Sequence, residues 1–571
     1  MITAMRKCLL VFLLLSAAAF AQSAKTDFDK LVDDYFDFSF QFHPTAATAA
    51  GFHDYDTKLE NFSRSSLDAE TAGLKTWREK VAAFPKSGLP PDSAADLDLI
   101  ANDINARLLE LQDIQMWRRD PSSNLTTINY SIFLLMKRNF APQEDRLRLI
   151  IAREKQIPGA LQDTRRNLSN PPRVYSNVAL EQMPGIVAFF RKDVPETFAQ
   201  VKDSRLLAEF NASNGATVQA LEKYGKFLKE KLLPVSKGDF RIGAENFRKK
   251  LLYEEMVDVP VNHLLEIGYA DMRRNQRRFK DVAAQIDPHH TPAEVLAQLQ
   301  KDHPPADKLL QSFRDELGGL RQFIEQKKLV TIPSPVLPIV EETPPFARSL
   351  TTASMDTPGA FETKATEAIL NVTLVDPRWS QEKAEQWMQS FNWPVLKAVA
   401  IHEAYPGHYV QFLWVKQAPS KVRKLLACGS NAEGWAHYTE QMMLDEGYGN
   451  GDPKIRLGQL EDALLRNARF IVGIEMHTGK MTEEQARKFF IDEAYQLPPV
   501  AEEETKRGTS DPTYLVYTLG KLQILKLRED YRKRQGGNFT LEEFHNRLMQ
   551  QGAVPLKIIR RAMLGDDTPT L

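Results

Sequence analysis

The chain has 571 residues, of which 43% are hydrophobic and 26% are charged, as in ordinary globular proteins. Its 74 Lys and Arg residues nearly balance its 75 Asp and Glu residues, which argues against a nucleic-acid binder and against a polybasic membrane-surface protein. The length exceeds what one hydrophobic core usually supports. We therefore expect two lobes, residues 22–328 (N-terminal, helical) and residues 329–571 (C-terminal), and small molecules or peptides as partners.

The first residues have the pattern of a secretory signal peptide. Arg6 and Lys7 precede an apolar run that ends in Ala-Phe-Ala at 19–21. We predict cleavage after Ala21 and a periplasmic or secreted protein. The alternative is an uncleaved membrane anchor, which the short run disfavours. Cleavage leaves Cys428 as the one cysteine, so we expect no internal disulfide, and no stable membrane insertion after cleavage.

Most of the mature chain has the apolar periodicity of amphipathic helices. Between Asp96 and Trp117 apolar residues recur every three or four positions. Similar periods occur around 145–165, 195–232, 262–284 and 306–327. The pattern predicts a mainly α fold.

One segment interrupts this helical pattern. Residues 329–340 contain β-branched residues and three prolines, and residues 365–375 (ATEAILNVTLV) are rich in strand formers. We predict a small β element of two or three strands here, immediately before the next helix. Helices then resume to the end of the chain.

The helix that follows contains a candidate metal-binding motif, His402-Glu403-Ala404-Tyr405-Pro406-Gly407-His408. A zinc hydrolase needs imidazole and carboxylate ligands, an open position for water and a nearby carboxylate base. On a regular helix the two histidines would be about 120° and about 9 Å apart. Pro406 and Gly407 are predicted to distort the helix between them.

A second helix, predicted over Asn431–Tyr448, offers further ligands. Glu433, His437 and Glu440 share one helix face. Glu433 is the candidate third ligand, and His437 is a rival that would hold the metal with Glu433. The alternative is a helix whose apolar side chains pack inward and whose polar face is in water.

Four further polar residues occur later in the chain. His477 ends an apolar helix, where a histidine is favoured by the helix dipole alone. Arg507, Tyr514 and Tyr517 lie in a stretch that contains Gly, Ser and Pro. Tyrosine hydroxyls and imidazoles can donate to the oxyanion of a tetrahedral intermediate, but their spacing alone does not select these residues.

The sequence resembles the bacterial family named domain of unknown function 885, whose signature is His-Glu-x-x-Pro-Gly-His followed by Glu-Gly-Trp-Ala. The matching stretches are 402–408 and 433–436. Residues 43–56 (HPTAATAAGFHDYD), 468–486 and 507–520 also resemble the family, so the likeness covers nearly the whole mature chain.

The resemblance implies a helical, zincin-like metallopeptidase fold and a zinc-peptidase activity similar to that of helical gluzincins. It implies that His402, His408 and Glu433 bind Zn²⁺ and that Glu403 is the catalytic base. His477 falls where the family tends to carry a histidine. His437 falls where the family commonly has an apolar residue.

The leading interpretation is zinc-dependent hydrolysis of peptide bonds in short peptides, of oligopeptidase or carboxypeptidase type. Glu403 would be the base, His477, Tyr514 or Tyr517 would stabilise the oxyanion, and Arg507 would bind a substrate carboxylate. The alternative is a non-catalytic periplasmic peptide-binding protein with a structural metal. The intact Glu403 argues against it, because a structural site has no use for a base. No Gly-x-Ser-x-Gly motif supports a serine hydrolase.

Overall fold

The computed structural model describes residues 25–348 and 351–571. The predicted signal peptide, residues 1–21, lies outside the described residues, so its cleavage stays a prediction. No helix in the described part of the chain is long and apolar enough to cross a membrane.

Helices form the described chain up to residue 328. They are α1 (25–42), α2 (Pro44–Ala50), α3 (Arg64–Ala83), α4 (Pro91–Leu109), α5 (Met116–Arg119), α6 (Ser123–Lys137), α7 (Gln143–Glu154), α8 (Ile157–Asn167), α9 (Arg173–Ala188), α10 (Val194–Thr197), α11 (Ser204–Phe227), α12 (Ala244–Glu255), α13 (Val261–Ile286), α14 (Pro292–Gln300) and α15 (Leu309–Lys327). Short π-helical segments extend α4, α9 and α11.

A three-stranded sheet follows, as predicted. Its strands are β1 (Ile339–Glu342), β2 (Ala353–Asp356) and β3 (Ile369–Val372), in the order β1-β3-β2. β3 runs parallel to β1 and antiparallel to β2, and all four of its residues are buried, which explains its continuous apolar character. The sheet lies before the helix that carries His402.

Helices resume after the sheet and continue almost to the C-terminus. They are α16 (Gln381–Gln389), α17 (Trp393–Glu403), α18 (His408–Val415), α19 (Lys421–Leu425), α20 (Gly429–Asp445), α21 (Pro453–His477), α22 (Glu483–Ala494), α23 (Pro498–Ser510), α24 (Val516–Gln535), α25 (Leu541–Met549) and α26 (Leu556–Leu564). The predicted mainly α class with a small β element is confirmed.

Three hydrophobic cores hold the described residues together. The first joins α1, α3, α4 and α15 to the sheet and to α17, α20 and α24. The second joins α12 and α13 to α21, α22 and α24, and the third lies mainly within α6–α11. All three cores thus draw side chains from both sides of the predicted boundary at residues 328/329, and the division into two lobes stays a prediction.

Candidate metal centre

His402 is held near the end of α17, a helix that begins at a well-defined cap. The Asn392 side chain accepts a hydrogen bond from the Val395 backbone N–H at 3.1 Å, and Pro394 lies in the first turn. The apolar side chains of α17 pack into the first core and bury His402 and Glu403 with them. Two polar residues are thereby placed in the interior of the protein.

The helix breaks between the two histidines, as Pro406 and Gly407 predict. α17 ends at Glu403 and α18 begins at His408. A Cβ on Gly407 would lie 1.8 Å from the carbonyl oxygen of His402, so this close turn requires glycine. The imidazole rings of His402 and His408 consequently meet, with centroids 4.9 Å apart and perpendicular planes.

Glu433 reaches the two histidines because α20 packs closely against α24. A Cβ on Gly434 would lie 2.4 Å from the Cα of Gly520, and a Cβ on Gly520 would lie 1.6 Å from a carbonyl oxygen of α20. The Trp435 indole N–H also donates to the Pro406 carbonyl at 2.8 Å, which ties α20 to the turn between the histidines. Two glycines and one tryptophan therefore set the position of the Glu433 helix.

His402, His408 and Glu433 form a group with the geometry of a metal site, called the three-residue cluster below. One ligand atom from each lies within 4.8 Å of the others. Oε2 of Glu433 is 3.4 Å from Nε2 of His402 and 3.3 Å from Nε2 of His408. Tetrahedral ligands at zinc distances of about 2.0–2.1 Å are about 3.3–3.4 Å apart. The two separations measured at Glu433 match this value.

The hydrogen bonding of the three-residue cluster supports the same conclusion. Oε2 of Glu433 and Nδ1 of His408 are buried, and neither has a hydrogen-bond partner among the described residues. The approaches of the two imidazoles to Glu433 therefore lack hydrogen-bond geometry despite their short distances. Buried polar atoms are rarely left without a partner, and a bound cation would satisfy this carboxylate oxygen.

The electrostatics of the three-residue cluster favour a cation. Burial disfavours the charged form of His402, but the carboxylates of Glu433 and Glu440 outweigh it and raise its pKa to about 10. Burial likewise disfavours ionised Glu433, but His408 and His402 hold its pKa well below its usual range. Negative charge is thus concentrated where a proton or a metal ion would sit.

Glu440 orients His402 from behind. Nδ1 of His402 donates to Oε1 of Glu440 at 2.6 Å, which leaves Nε2 to face Glu433, 3.4 Å away. A histidine ligand commonly donates its second N–H to a carboxylate in this way. Burial opposes ionisation of Glu440, but Arg466 and His437 hold its pKa far below its usual value. Glu440 is therefore a charged partner of His402.

His437 serves Glu440 and is not part of the three-residue cluster. Nδ1 of His437 pairs with Oε2 of Glu440 at 3.0 Å. Burial and the nearby Lys521 lower the pKa of His437 to about 4, so the ring is neutral and donates this bond. The structure thus places His437, the rival ligand, in contact with Glu440, the carboxylate that orients His402.

Arg466, on α21, completes this buried arrangement. Its guanidinium lies 3.6 Å from Oε1 of Glu440 and pairs with Asp462 one turn earlier on the same helix. All three side chains are buried. Sequence reasoning did not select Arg466 or Asp462, because a charged residue on a buried helix is visible only once its neighbours are known.

Glu403 lies beside His402 and keeps its carboxylate free. It is buried, yet it forms no hydrogen bond or ion pair with any residue that the structure describes. The carboxylate interacts electrostatically with the His402 imidazole. This is the state that a general base requires, since a carboxylate already engaged in ion pairs would be a poor proton acceptor.

Tyr517 and Arg507 are brought to the site. The Tyr517 ring stacks on the His402 ring with centroids 6.2 Å apart and planes inclined by 21°. Nη2 of Arg507 donates to the Tyr517 hydroxyl oxygen at 3.1 Å. Because that oxygen is the acceptor, the phenolic O–H remains available as a donor.

His477 and Tyr514 are not brought to the site. Nε2 of His477 donates to the Gly508 carbonyl at 2.8 Å, and its Nδ1 accepts from the Ile242 N–H at 3.4 Å. Burial lowers the pKa of His477 to about 4, so it is a neutral, fully engaged residue at the end of α21. Tyr514 packs against Gly473 and Gly508, and its buried hydroxyl has no partner among the described residues. The structure therefore does not place these two side chains where an oxyanion donor at the three-residue cluster would be.

Glu255, at the end of α12, is a residue that the sequence did not reveal. Its two carboxylate oxygens accept hydrogen bonds from the backbone N–H groups of Gly429 and Ser430 at 3.1 and 2.8 Å. These N–H groups begin α20, and the N-cap residue Cys428 supplies no side-chain cap. Glu255 thus caps the helix that carries Glu433 from a distant part of the chain, which no local pattern encodes.

Comparisons with known proteins identify relatives by family and by structure. The family described as "Bacterial protein of unknown function (DUF885)" matches residues 44–563. A solved structure of a candidate lipoprotein of unknown function from Shewanella oneidensis is 28% identical, with a TM-score of 0.77 and coverage of 94% of this chain and 99% of that chain. A search of curated proteins found no match.

A second solved structure, of a candidate lipoprotein from Colwellia psychrerythraea, has a TM-score of 0.79 and covers 95% of this chain and 98% of that chain. At 19% identity it establishes the shared fold alone. None of these descriptions names an activity, so the peptidase activity expected from the sequence stays a prediction.

Proposed function

This chain belongs to the bacterial DUF885 family, and from the chemistry of its three-residue cluster we propose that it is a zinc-dependent hydrolase of peptide bonds in short peptides. The observation that carries the proposal is one ligand set beside one free carboxylate. Both imidazoles lie at tetrahedral separations from the Glu433 oxygen, and the carboxylate of the neighbouring Glu403 is unpaired among the described residues. Three protein ligands leave a fourth position open, as in catalytic zinc sites.

In the proposed reaction, Glu403 and Tyr517 have separate roles. Bound zinc would supply a Lewis acid and a more acidic water. Glu403 takes a proton from the water that attacks the scissile carbonyl carbon, and later gives it to the amine that leaves when the C–N bond breaks. The Tyr517 O–H, free to donate, stabilises the oxygen that becomes negative in the tetrahedral intermediate.

The compartment belongs to the same proposal. Residues 1–21 have the pattern of a signal peptide, and the Shewanella relative is described as a candidate lipoprotein. We propose that this protein acts outside the cytoplasm. N-terminal sequencing and mass measurement of the exported protein test this: a start near Gln22 is expected, and retention of residues 1–21 contradicts it.

The decisive experiment measures zinc content and peptide cleavage on one preparation of wild type and of Glu403→Gln. Glutamine keeps the size of the side chain but cannot accept the proton of the water. We expect the variant to keep its zinc and to lose about 10²–10⁴-fold in turnover.

Each other outcome rejects a stated part of the proposal. Zinc without cleavage of any peptide in a mixed library would favour the alternative, a non-catalytic peptide-binding protein with a structural metal. Loss of zinc in Glu403→Gln would make Glu403 a ligand. Full zinc with unchanged cleavage would place the base elsewhere.

A further inference from the structure

Three arginines surround the ring that stacks on His402. The guanidinium carbons of Arg466, Arg469 and Arg507 lie 5.8, 4.8 and 5.7 Å from the centre of the Tyr517 ring. Arginine stacks on aromatic faces, and three such contacts on one tyrosine concentrate positive charge on one side of the three-residue cluster. A group of arginines of this kind either neutralises buried carboxylates or binds an anion.

Two of the three arginines are buried and paired with carboxylates. Arg466 pairs with Asp462 and lies near Glu440. Arg469 forms a bidentate pair with Glu504, with two bonds of 2.6 Å. The side chains of Arg466 and Arg469 are only 9% and 8% exposed, so a ligand from solvent reaches neither guanidinium readily.

Arg507 differs from the other two. Its side chain is 36% exposed, and its partner Asp511 is 39% exposed. Nε and Nη2 share a single oxygen of Asp511 at 3.3 and 3.2 Å, and Nη2 also donates to Tyr517. Nη1 donates to none of the residues that the structure describes. Arg507 is thus the most exposed of the three arginines, and its Nη1 is open.

We propose that Arg507 binds the free C-terminal carboxylate of the peptide whose scissile bond lies at the three-residue cluster, so that the protein cleaves near the C-terminal end. The inference rests on the proposed function. A guanidinium donates strong, charge-assisted hydrogen bonds to a carboxylate, and the open Nη1 of Arg507 supplies such a donor.

The reach of Arg507 sets the size of the released fragment. The separations from Arg507 to the Tyr517 ring (5.7 Å) and from that ring to the His402 ring (6.2 Å) place the guanidinium no more than about 12 Å from His402. An extended peptide covers roughly 3.3–3.6 Å per residue. The released fragment is therefore about one to three residues long.

The test compares three peptides of one sequence: the free acid, its C-terminal amide, and the amide with a glutamate side chain in the last position. The last peptide separates an α-carboxylate from an acidic side chain as the ligand. We expect wild-type enzyme to cleave the free acid with a kcat/KM about 10- to 100-fold above that of either amide, since a charge-assisted bond is at stake.

Two variants assign this preference to one residue. Arg507→Gln removes the charge and is expected to lower the ratio of kcat/KM for the free acid to kcat/KM for the amides about 10- to 100-fold, whatever effect on Tyr517 both kinds of substrate share. The matched control is Lys506→Gln on the same helix, because Lys506 pairs with Glu181 and has no contact with Tyr517. It is expected to leave all three rates unchanged.

The outcomes separate this inference from the proposed function. Equal cleavage of acid and amide by wild type overturns the inference and leaves the hydrolase intact, and this arm needs no variant to fold. An equal loss on acid and amide in zinc-loaded Arg507→Gln also overturns it and makes Arg507 a positioning residue for Tyr517. Preference for the glutamate amide over the plain amide reassigns the ligand to an acidic side chain. Failure to cleave any of the three overturns both.

Discussion

Two groups of histidine and carboxylate side chains in this protein differ in how completely they are hydrogen-bonded. His53 lies between Asp56 and Glu362, with N···O distances of 2.8 and 3.1 Å from its two nitrogens, and its ring stacks on Phe140. The other oxygen of Glu362 accepts two backbone N–H groups. We call His53, Asp56 and Glu362 the His53 bridge.

The three-residue cluster uses the same residue types with the opposite result. Its histidines approach Glu433 at hydrogen-bonding distance without hydrogen-bond geometry, and two of its buried atoms have no partner in the described chain. An unsatisfied buried polar group costs about 1–3 kcal/mol. The comparison teaches that unmet hydrogen bonds, and not the residue types, distinguish a ligand site from a structural bridge.

The largest predicted difference between the two groups is in zinc content. His408→Ala removes a ligand, and we expect the purified variant to retain no zinc after dialysis and to lose all detectable activity. His53→Ala is the matched control and is expected to keep both, because His53 serves only the His53 bridge. Metal analysis of dialysed protein is the measurement. Zinc lost from His53→Ala and kept by His408→Ala would reverse the comparison.

Tyr517→Phe tests whether the three-residue cluster has a donor that the His53 bridge lacks. Phenylalanine keeps the ring on His402 and removes only the hydroxyl. We expect kcat to fall about 10²- to 10³-fold with unchanged zinc content, the effect of losing one oxyanion donor. Tyr514→Phe is the control, because the Tyr514 hydroxyl has no partner among the described residues. An equal fall in both variants would remove Tyr517 from the mechanism.

Glu440→Gln sharpens the comparison at the orienting carboxylate. Glutamine can still accept from Nδ1 of His402, but without a negative charge. We expect about 10- to 100-fold weaker zinc affinity in a competition titration with a chelator, as for other residues that orient a metal ligand. The corresponding change in the His53 bridge, Glu362→Gln, should leave the affinity unchanged. Unchanged affinity in Glu440→Gln would mean that its role is structural.

The smallest predicted effect is on stability. Glu362→Ala breaks the His53 bridge and leaves without a partner the two backbone N–H groups that donate to Glu362. We expect the free energy of unfolding to fall by about 1–3 kcal/mol, measured as a lower Tm at unchanged zinc content. An unchanged Tm would show that the hydrogen bonds of the His53 bridge contribute no net stability.

Much of the fold was predictable because its signals are local. The helical periods in residues 96–117 and 262–284 and the strand-forming stretch 365–375 all became the expected elements, here α4, α13 and β3. Apolar spacing and side-chain branching act within a few residues, which is the range that a sequence pattern samples. The sharing of cores across residues 328/329 had no such signal, because it depends on which helices pack together.

The site divides in the same way. His477 and Tyr514 were selected with Tyr517 from their chemistry, yet only Tyr517 meets His402. A side chain suited to donate to an oxyanion is equally suited to bond a backbone carbonyl, as His477 does with Gly508. Which of the two occurs is decided by the neighbours that packing supplies.

The sequence by itself determined the break between His402 and His408, because the missing N–H of Pro406 and the missing Cβ of Gly407 are properties of single residues. Only the tertiary structure decided that Glu440 orients His402, that Glu255 caps the Glu433 helix, and that Arg507 keeps an open donor beside Tyr517. These contacts join different helices, and periodicity within one helix carries no information about where another helix crosses it.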